Sequence, residues 1–407
     1  MSHSKEIILL NISGEDKPGL TASLTEVLNQ YDVNILDMGQ SVIHKDLGLG
    51  ILFEVPKKSG ASSILKDLLF KAYEMRSHIK FTPIPLEEYE DWVSEQGKER
   101  YLITLLAHKL TALHLSKVSR LIADQNLNID TILRLSGRKS LMGNNKVTNS
   151  VVEFTVRGTP VNLNAMKQAI MQIASETNID IAFQEDNIFR RSRRLVCFDM
   201  DSTLIRTEVI DELAHRAGVG DQVKAITERA MRGELDFKES FIERIALLKG
   251  LDESVMKEIA ENLPITEGAE RLLKTLKQYG YKTAILSGGF TYFGNYLKAR
   301  LGIDYVFANE LEIKDGVVTG RHINEIVDGK RKAELLELLA FKEEIHLEQV
   351  IAVGDGANDL PMLEKAGLGI AFHAKPKVKA SAQHAISSTG LDTILYLLGF
   401  RDREIRE

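Results

Sequence analysis

The stretch Val196-Cys197-Phe198-Asp199-Met200-Asp201-Ser202-Thr203-Leu204 sets two carboxylates one residue apart, directly behind an apolar run that begins at Leu195. Carboxylates this close repel each other unless a cation or a shared proton relieves them. A short apolar run bounded by turn residues reads as a buried strand, so Asp199 and Asp201 are predicted to stand at the mouth of one. The same grammar recurs downstream. Apolar runs at 283–286, 305–308, 350–353 and 368–372 alternate with helical stretches, which predicts a parallel α/β sheet. Residues 310–320, centred on Lys314-Asp315-Gly316, read as a hairpin. The stretch from about 208 to 264 reads as an all-helical insertion, a cap above the sheet.

Three of these runs end in polar clusters: Asp199 to Thr203, Ser287-Gly288-Gly289, and Gly354-Asp355-Gly356-Ala357-Asn358-Asp359. Each alone is ordinary turn chemistry. At equivalent ends of a parallel sheet they converge, because ligands bind beyond the carboxyl ends of the strands. Asp199, Asp201, Asp355 and Asp359 then crowd together and need a cation, and oxygen donors of this kind suit magnesium. No His or Cys cluster offers zinc spacing. Ser287 with two following glycines presents a hydroxyl and bare backbone N–H groups, the equipment for a phosphoryl group.

The composition is that of a folded soluble chain, 44% hydrophobic and 27% charged, and 407 residues exceed one ordinary core. A net charge of −6 argues against a nucleic-acid partner, and the basic run from Arg190 to Arg194 reads as a solvated linker. The single cysteine, Cys197, excludes an internal disulfide and reads as a small buried hydrophobe in a reducing compartment. With neither a leader-like start nor a run of membrane length, the expectation is a cytoplasmic protein without a membrane partner.

Ahead of the sheet, residues 1–185 carry a degenerate repeat. Leu24, Val27, Leu28 and Asn34 have counterparts at one constant offset in Val118, Leu121, Ile122 and Asn128. Each copy reads strand, helix, strand, strand, helix, strand, the ferredoxin-like α+β order. In the first copy the elements fall near 6–12, 18–29, 33–43, 47–55, 60–76 and 78–84. Pro18 suits a first helical turn, and Gly19 a tight backbone turn beside it. Residues 86–100 and 184–194 read as polar connectors and hinges, and 136–150 as a long hairpin loop.

The strings Asp-Met-Asp-Ser-Thr, Leu-Ser-Gly-Gly-Phe, a lysine, and Val-Gly-Asp-Gly-Ala-Asn-Asp, in that order, resemble the haloacid dehalogenase superfamily of phosphohydrolases, and within it the phosphoserine phosphatases. The front half, with Glu15-Asp16-Lys17-Pro18-Gly19, resembles paired ACT domains, small-molecule sensing modules of amino-acid metabolism. The resemblance implies ACT-like domains at 1–86 and 98–186 and a phosphatase domain at 194–407, a Rossmann-like parallel sheet with a helical cap. It also implies magnesium-dependent hydrolysis of O-phospho-L-serine to L-serine and phosphate through an aspartyl-phosphate, the last step of serine biosynthesis.

In that scheme Asp199 is the nucleophile, and Asp201 is first general acid and then general base. The Asp199 and Asp355 carboxylates and the Asp201 backbone carbonyl hold the metal, with Asp359 in support. Thr203, Ser287 and the Gly288 N–H hold phosphoryl oxygens, and Asn358 lines the same pocket. Charge on the transferring group calls for a cation. Lys330 and Lys332 compete for that role, and Lys332 is preferred because counting back from Asp355 puts it where the family has its lysine.

Independently of the family, Phe237, Phe241, Arg244 and Leu248 share helical spacing, which sets an arginine in an apolar stripe. A charge there needs an anion, from the protein or from a ligand. The resemblance assigns Arg244 to the substrate carboxylate and Glu208 to its ammonium, with Met231 and Phe237 closing the pocket. The ACT-like half is expected to form a homodimer and to bind an amino acid, L-serine foremost, through Asp16 and Asn34, because the second copy lacks the Pro-Gly pair. Two other readings remain: a phosphatase or phosphotransferase for another small phosphomonoester, and an amino-acid sensor with a vestigial phosphatase domain.

Overall fold

The computed structural model describes residues 6–56, 60–138, 140–142 and 149–405. The chain divides into two compact units, one reaching to Lys98 and the other starting at Glu99.

In the first unit β1 (Ile7–Glu15), α1 (Leu20–Gln30), β2 (Asn34–Ile43), β3 (Asp46–Glu54), α2 (Ala61–Glu74) and β4 (His78–Ile84) form an antiparallel sheet ordered β2-β3-β1-β4. Alternation along β1 and β3 turns Ile8, Leu10, Ile12, Leu49, Ile51 and Phe53 to one face. Leu24 and Leu28 of α1 and Ile64 and Leu68 of α2 cover that face. Gly19 takes φ +91 just before α1, so Pro18 stands outside the helix and not in its first turn. The 86–100 stretch is not an irregular connector. It holds α3 (Leu86–Ser94), whose first turn carries Glu87 and Glu88, where the helix dipole favours negative charge.

The second unit opens with the repeat: β5 (Arg100–Ala107), α4 (Ala112–Asp124), β6 (Asn128–Arg134), β7 (Ser150–Arg157), α5 (Leu163–Thr177) and β8 (Asp180–Glu185), in a sheet ordered β6-β7-β5-β8. Of the expected 136–150 loop, residues 139 and 143–148 lie outside the described residues. The 184–194 stretch is neither a hinge nor a solvated linker. It continues into α6 (Ile188–Arg191), where Arg190 makes a buried ion pair with Glu153 and Arg193, also buried, donates to the Glu348 carbonyl. These arginines lie inside because the second module packs on the sheet domain that follows. Buried Asp180 completes the seam by accepting from the Ser387 and Ser388 N–H groups and from the Ser388 and Thr389 hydroxyls.

The sheet domain contains β9 (Leu195–Phe198), β10 (Lys282–Phe290), β11 (Tyr305–Lys314), β12 (Val317–Ile323), β13 (Val350–Gly354), β14 (Leu368–Phe372) and β15 (His384–Ile386). Their order is β12-β11-β10-β9-β13-β14-β15, parallel throughout except for the hairpin strand β12. Central β9 is buried on both faces, which is why it reads as unbroken apolar sequence. Between β9 and β10 rise the cap helices α7 (Val209–Arg216), α8 (Gly220–Met231), α9 (Phe237–Ala246) and α10 (Ser254–Glu261), and after them α11 (Ala269–Gln278) returns to the sheet. The cap is cinched at its base, where Ile205 bridges Ile265 and the Arg206 N–H donates to the Pro264 carbonyl. The remaining crossovers include α12 (Thr291–Leu301), α13 (Gly329–Lys342), α14 (Leu360–Lys365) and α15 (Pro376–Ser381). Val196 and Phe198 pack on the α11 and α12 side, Leu195 and Cys197 on the α13 and α14 side. Among the described residues no helix is long and apolar enough to cross a membrane.

Candidate active site

The chain leaves β9 for β10 on one side and later returns to β13 on the other, so the strand order reverses at β9 and opens a crevice there. Register aligns Phe198 with Ile285 and with Val353. Asp199 therefore emerges level with Leu286 and Gly354, and Ser287 and Asp355 follow one residue beyond. The Asp199 N–H donates to the Val353 carbonyl at 2.8 Å, which ties the first aspartate to β13. The chain then winds through a tight turn at Met200–Leu204, with Ser202 at φ +57, and Asp201 Oδ1 accepts from the Val209 N–H at 3.1 Å. The two glycines after Ser287 are required by close approach. A Cβ on Gly289 would stand 2.4 Å from Asp201 Oδ2, and one on Gly288 2.7 Å from the Phe237 ring.

Carboxylate oxygens of Asp199, Asp355 and Asp359 lie within 4.8 Å of one another. Lys332, fully buried in the first turn of α13, reaches Asp199 Oδ1 at 2.9 Å and Asp359 Oδ1 at 2.7 Å. Burial alone would lower its pKa, yet the two carboxylates hold it above the ordinary lysine value. Lys330 points to solvent beside Glu334. One ammonium cannot balance three carboxylates. Burial, with Asp199 and Asp359 nearby, pushes Asp355 up to about 8, and burial with Asp199 pushes Asp359 up to about 7. Asp359 already accepts from Lys332 and from the Gly356 N–H, one bond on each oxygen, whereas Asp355 engages Oδ1 with the Thr203 hydroxyl. A trio of oxygen donors in excess of its own cation fits a hard divalent metal, with Asp199 and Asp355 as the open ligands.

Sheet and cap enclose a cavity of 820 Å³. Asp199, Asp201, Ser287, Gly288, Asp355 and Asn358 line it from the sheet, and Glu208, Met231, Phe237 and Arg244 from the cap. Three predicted residues stand elsewhere. Thr203 is fully buried with its hydroxyl on Asp355, and Lys332 and Asp359 sit behind the wall. Burial, reinforced by Glu208 and Asp199, raises the Asp201 pKa well above the carboxylate range. Glu208, exposed as a residue but with its carboxylate turned toward the crevice, is raised by partial loss of water, and it accepts from the Ser202 hydroxyl at 2.8 Å. The Arg244 guanidinium is lowered by burial. Its Nε donates to the Ser240 carbonyl, and among the described residues it makes no ion pair, although Glu208, Asp211 and Asp201 act on it from farther off.

Residues 196–364 match the model of the haloacid dehalogenase-like hydrolases, and residues 6–82 and 100–184 each match an ACT domain model. The phosphoserine phosphatase of Streptomyces coelicolor is 40% identical over 398 residues, which cover 98% of this chain and 93% of that one. The phosphoserine phosphatase of Mycobacterium tuberculosis is 39% identical over 402 residues, 99% of this chain and 95% of its own. The chain belongs to the phosphoserine phosphatase family. Among solved structures it resembles a haloacid dehalogenase family hydrolase from Salmonella enterica serovar Typhi, with TM-score 0.62, 32% identity, and coverage of 73% of this chain and 98% of that one. A probable phosphoserine phosphatase from Vibrio cholerae gives TM-score 0.56 and 35% identity over 73% of this chain and 86% of its own.

Within this phosphoserine phosphatase fold, sequence reasoning missed Ser240 and the lysines Lys375 and Lys377, all on the cavity wall. Lys375 Nζ lies 3.9 Å from Met231 Sδ, so core and cap meet at the mouth. The two lysines read as an ordinary solvated stretch and carried no signal. Ser240 did carry one, a small polar residue four positions before Arg244 on the same helical face.

Proposed function

We propose that this family member hydrolyses O-phospho-L-serine to L-serine and phosphate with magnesium at the aspartate trio, as the last step of serine biosynthesis. The observation that carries the reading is Arg244, a guanidinium largely withdrawn from water, without an ion-pair partner among the described residues, on the wall of the cavity that also holds Asp199. A charge partly withdrawn from water with no ion pair of its own is unfavourable, and the nearby Glu208, Asp211 and Asp201 offset it only through space. The α-carboxylate of phosphoserine relieves it in a bidentate grip, while Glu208 meets the ammonium.

Asp199 Oδ1 is fixed by the Met200 N–H at 2.8 Å and by Lys332 at 2.9 Å, which leaves Oδ2 to attack phosphorus. The bond from phosphorus to the serine oxygen breaks as the bond to Asp199 forms. Asp201, kept protonated by its raised pKa, gives its proton to the leaving oxygen. Its carboxylate then takes a proton from the water that attacks the aspartyl-phosphate, releasing phosphate and restoring Asp199. The Ser287 hydroxyl accepts from the Gly289 N–H at 2.9 Å and keeps its own proton for a phosphoryl oxygen. Lys332 acts from behind, orienting Asp199. Magnesium, when bound, would neutralise the surplus carboxylate and offset phosphoryl charge. The test is a panel of phosphomonoesters with free phosphate measured, with and without alcohol acceptors and with and without chelator. Metal-dependent phosphate release favouring phosphoserine supports the reading, and transfer to alcohols or indifference among esters contradicts it.

The same reading gives the ACT modules L-serine as effector. Asp16 lines a hollow of 360 Å³ with Thr21 and Gln40. Asn34 pairs with Glu54, opposite Ile7 at the far end of β1, about 30 Å from Asp16 along the strand at about 3.3 Å per residue. One ligand meets both residues only across two copies, which links effector binding to a homodimer. Calorimetry on the full chain should show heat with L-serine that Asp16→Ala and Asn34→Ala each remove. Absence of heat from the wild type would leave the modules as dimerising elements.

A further inference from the structure

Ser240 is 2% exposed, yet its hydroxyl has no hydrogen-bond partner. Leaving a buried hydroxyl unsatisfied is unfavourable, because its lost hydration is not replaced. Within a helix the usual escape is a bond back to the carbonyl four residues earlier. Here that carbonyl, of Asp236, takes the Ser240 N–H at 3.0 Å, and the hydroxyl makes no such bond. Among the described residues the other buried polar atoms without partners belong to Gln184, Arg190, Arg193, Thr266 and Arg271, and none of these lines the catalytic cavity. Ser240 does line it. An alanine would favour the helix more and bury no polar atom. The hydroxyl is therefore an unfavourable choice for the empty protein, and a ligand that bonds to it removes the penalty.

The neighbour identifies the ligand group. Ser240 and Arg244 stand four residues apart on α9, one above the other on the same face. Arg244 Nε donates to the Ser240 carbonyl at 3.2 Å, which anchors the near side of the guanidinium to the helix and leaves its two terminal nitrogens for the cavity. A carboxylate offers about four acceptor sites, and a guanidinium fork uses two of them. We propose that Ser240 is a specificity-determining residue that donates its hydroxyl proton to the substrate carboxylate held by Arg244, making a three-donor carboxylate site. This rests on the phosphoserine reading above. It assigns the cap helix a second contact that selects for esters carrying a carboxylate beside the phosphorylated alcohol.

The experiment compares wild type, Ser240→Ala and Arg244→Ala on O-phospho-L-serine and on O-phosphoethanolamine, which lacks the carboxylate, together with the melting temperature of each free protein. Ser240→Ala should raise KM for phosphoserine about tenfold with kcat nearly unchanged, and should alter phosphoethanolamine turnover by less than about twofold. Its melting temperature should hold or rise, because the substitution removes an unsatisfied buried hydroxyl. An equal loss on both substrates, an unchanged KM for phosphoserine, or a fall in melting temperature would overturn the role. The wild-type arm reports separately on the substrate: a wild type indifferent to the carboxylate would remove the phosphoserine reading and the role of Ser240 with it. A wild type that prefers phosphoserine, with Arg244→Ala abolishing the preference and Ser240→Ala preserving it, would remove Ser240 alone.

Discussion

The two ends of the catalytic cavity are built on opposite terms. At the sheet end, Asp199 and Asp359 already share Lys332, and the Met200 and Gly356 N–H groups hold one oxygen of each carboxylate in place. At the cap end, the Arg244 guanidinium makes one backbone bond and the Ser240 hydroxyl none. The first arrangement is preorganised chemistry that exists before substrate arrives. On the proposed reading the second is recognition left incomplete, to be finished by the ligand. The difference separates how phosphate is removed from which phosphate ester is chosen, and it tells which substitutions act on turnover, on stability or on selectivity.

The largest break is Asp199→Asn. It preserves shape and removes the nucleophile, so phosphate release should fall by about four orders of magnitude or more with the melting temperature retained. Activity within about tenfold of wild type would show that Asp199 does not attack phosphorus. Next comes a contrast between buried Lys332 and half-buried Arg244. Lys332→Met strands two buried carboxylates and should destabilise the metal-free protein by about 3–5 kcal/mol in urea denaturation. Arg244→Met removes a charge without an ion-pair partner and should leave stability unchanged or improved. Equal losses from the two would erase the distinction between the ends.

The smallest expected effect sharpens the sheet end. Asp355 is pushed up to about 8 from an ordinary value of 3.8, so the folded state holds a proton that the unfolded chain has released. Stability from this group is full below about pH 4 and is lost as pH rises toward 8. A divalent metal competes with that proton. The gain in melting temperature on adding magnesium should therefore be a few degrees larger near pH 8 than near pH 5. An equal gain at both values would mean that the trio is not the metal site.

The sheet end was legible in sequence because its residues sit in short strings at strand ends, where register alone brings Asp199, Ser287 and Asp355 within one residue of each other's level. Asp359 and Lys332 were legible as site residues, but neither their ion pair nor their place behind the wall, which depends on how α13 packs under Asp199. The cap end was half legible. Helical periodicity exposed Arg244 as a charge in an apolar stripe, whereas the place of Ser240 one turn before it gained meaning only once its missing partner was seen in three dimensions. In the front half the strand-helix pattern was readable in both copies, but the seam was not. Arg190 and Arg193 read as solvated charge because burial by a neighbouring domain leaves no local mark, and their partners Glu153 and Glu348 are distant in sequence.

Recognition of the substrate carboxylate by the cap is tested most directly by kcat/KM for O-phospho-L-serine against O-phosphoethanolamine, in wild type and in Arg244→Ala. Wild type should prefer phosphoserine, and the substitution should reduce that preference by about tenfold to a hundredfold, chiefly through KM, as expected for loss of a charge-assisted contact. A preference that survives the removal of Arg244 would contradict the claim that the cap reads the substrate carboxylate.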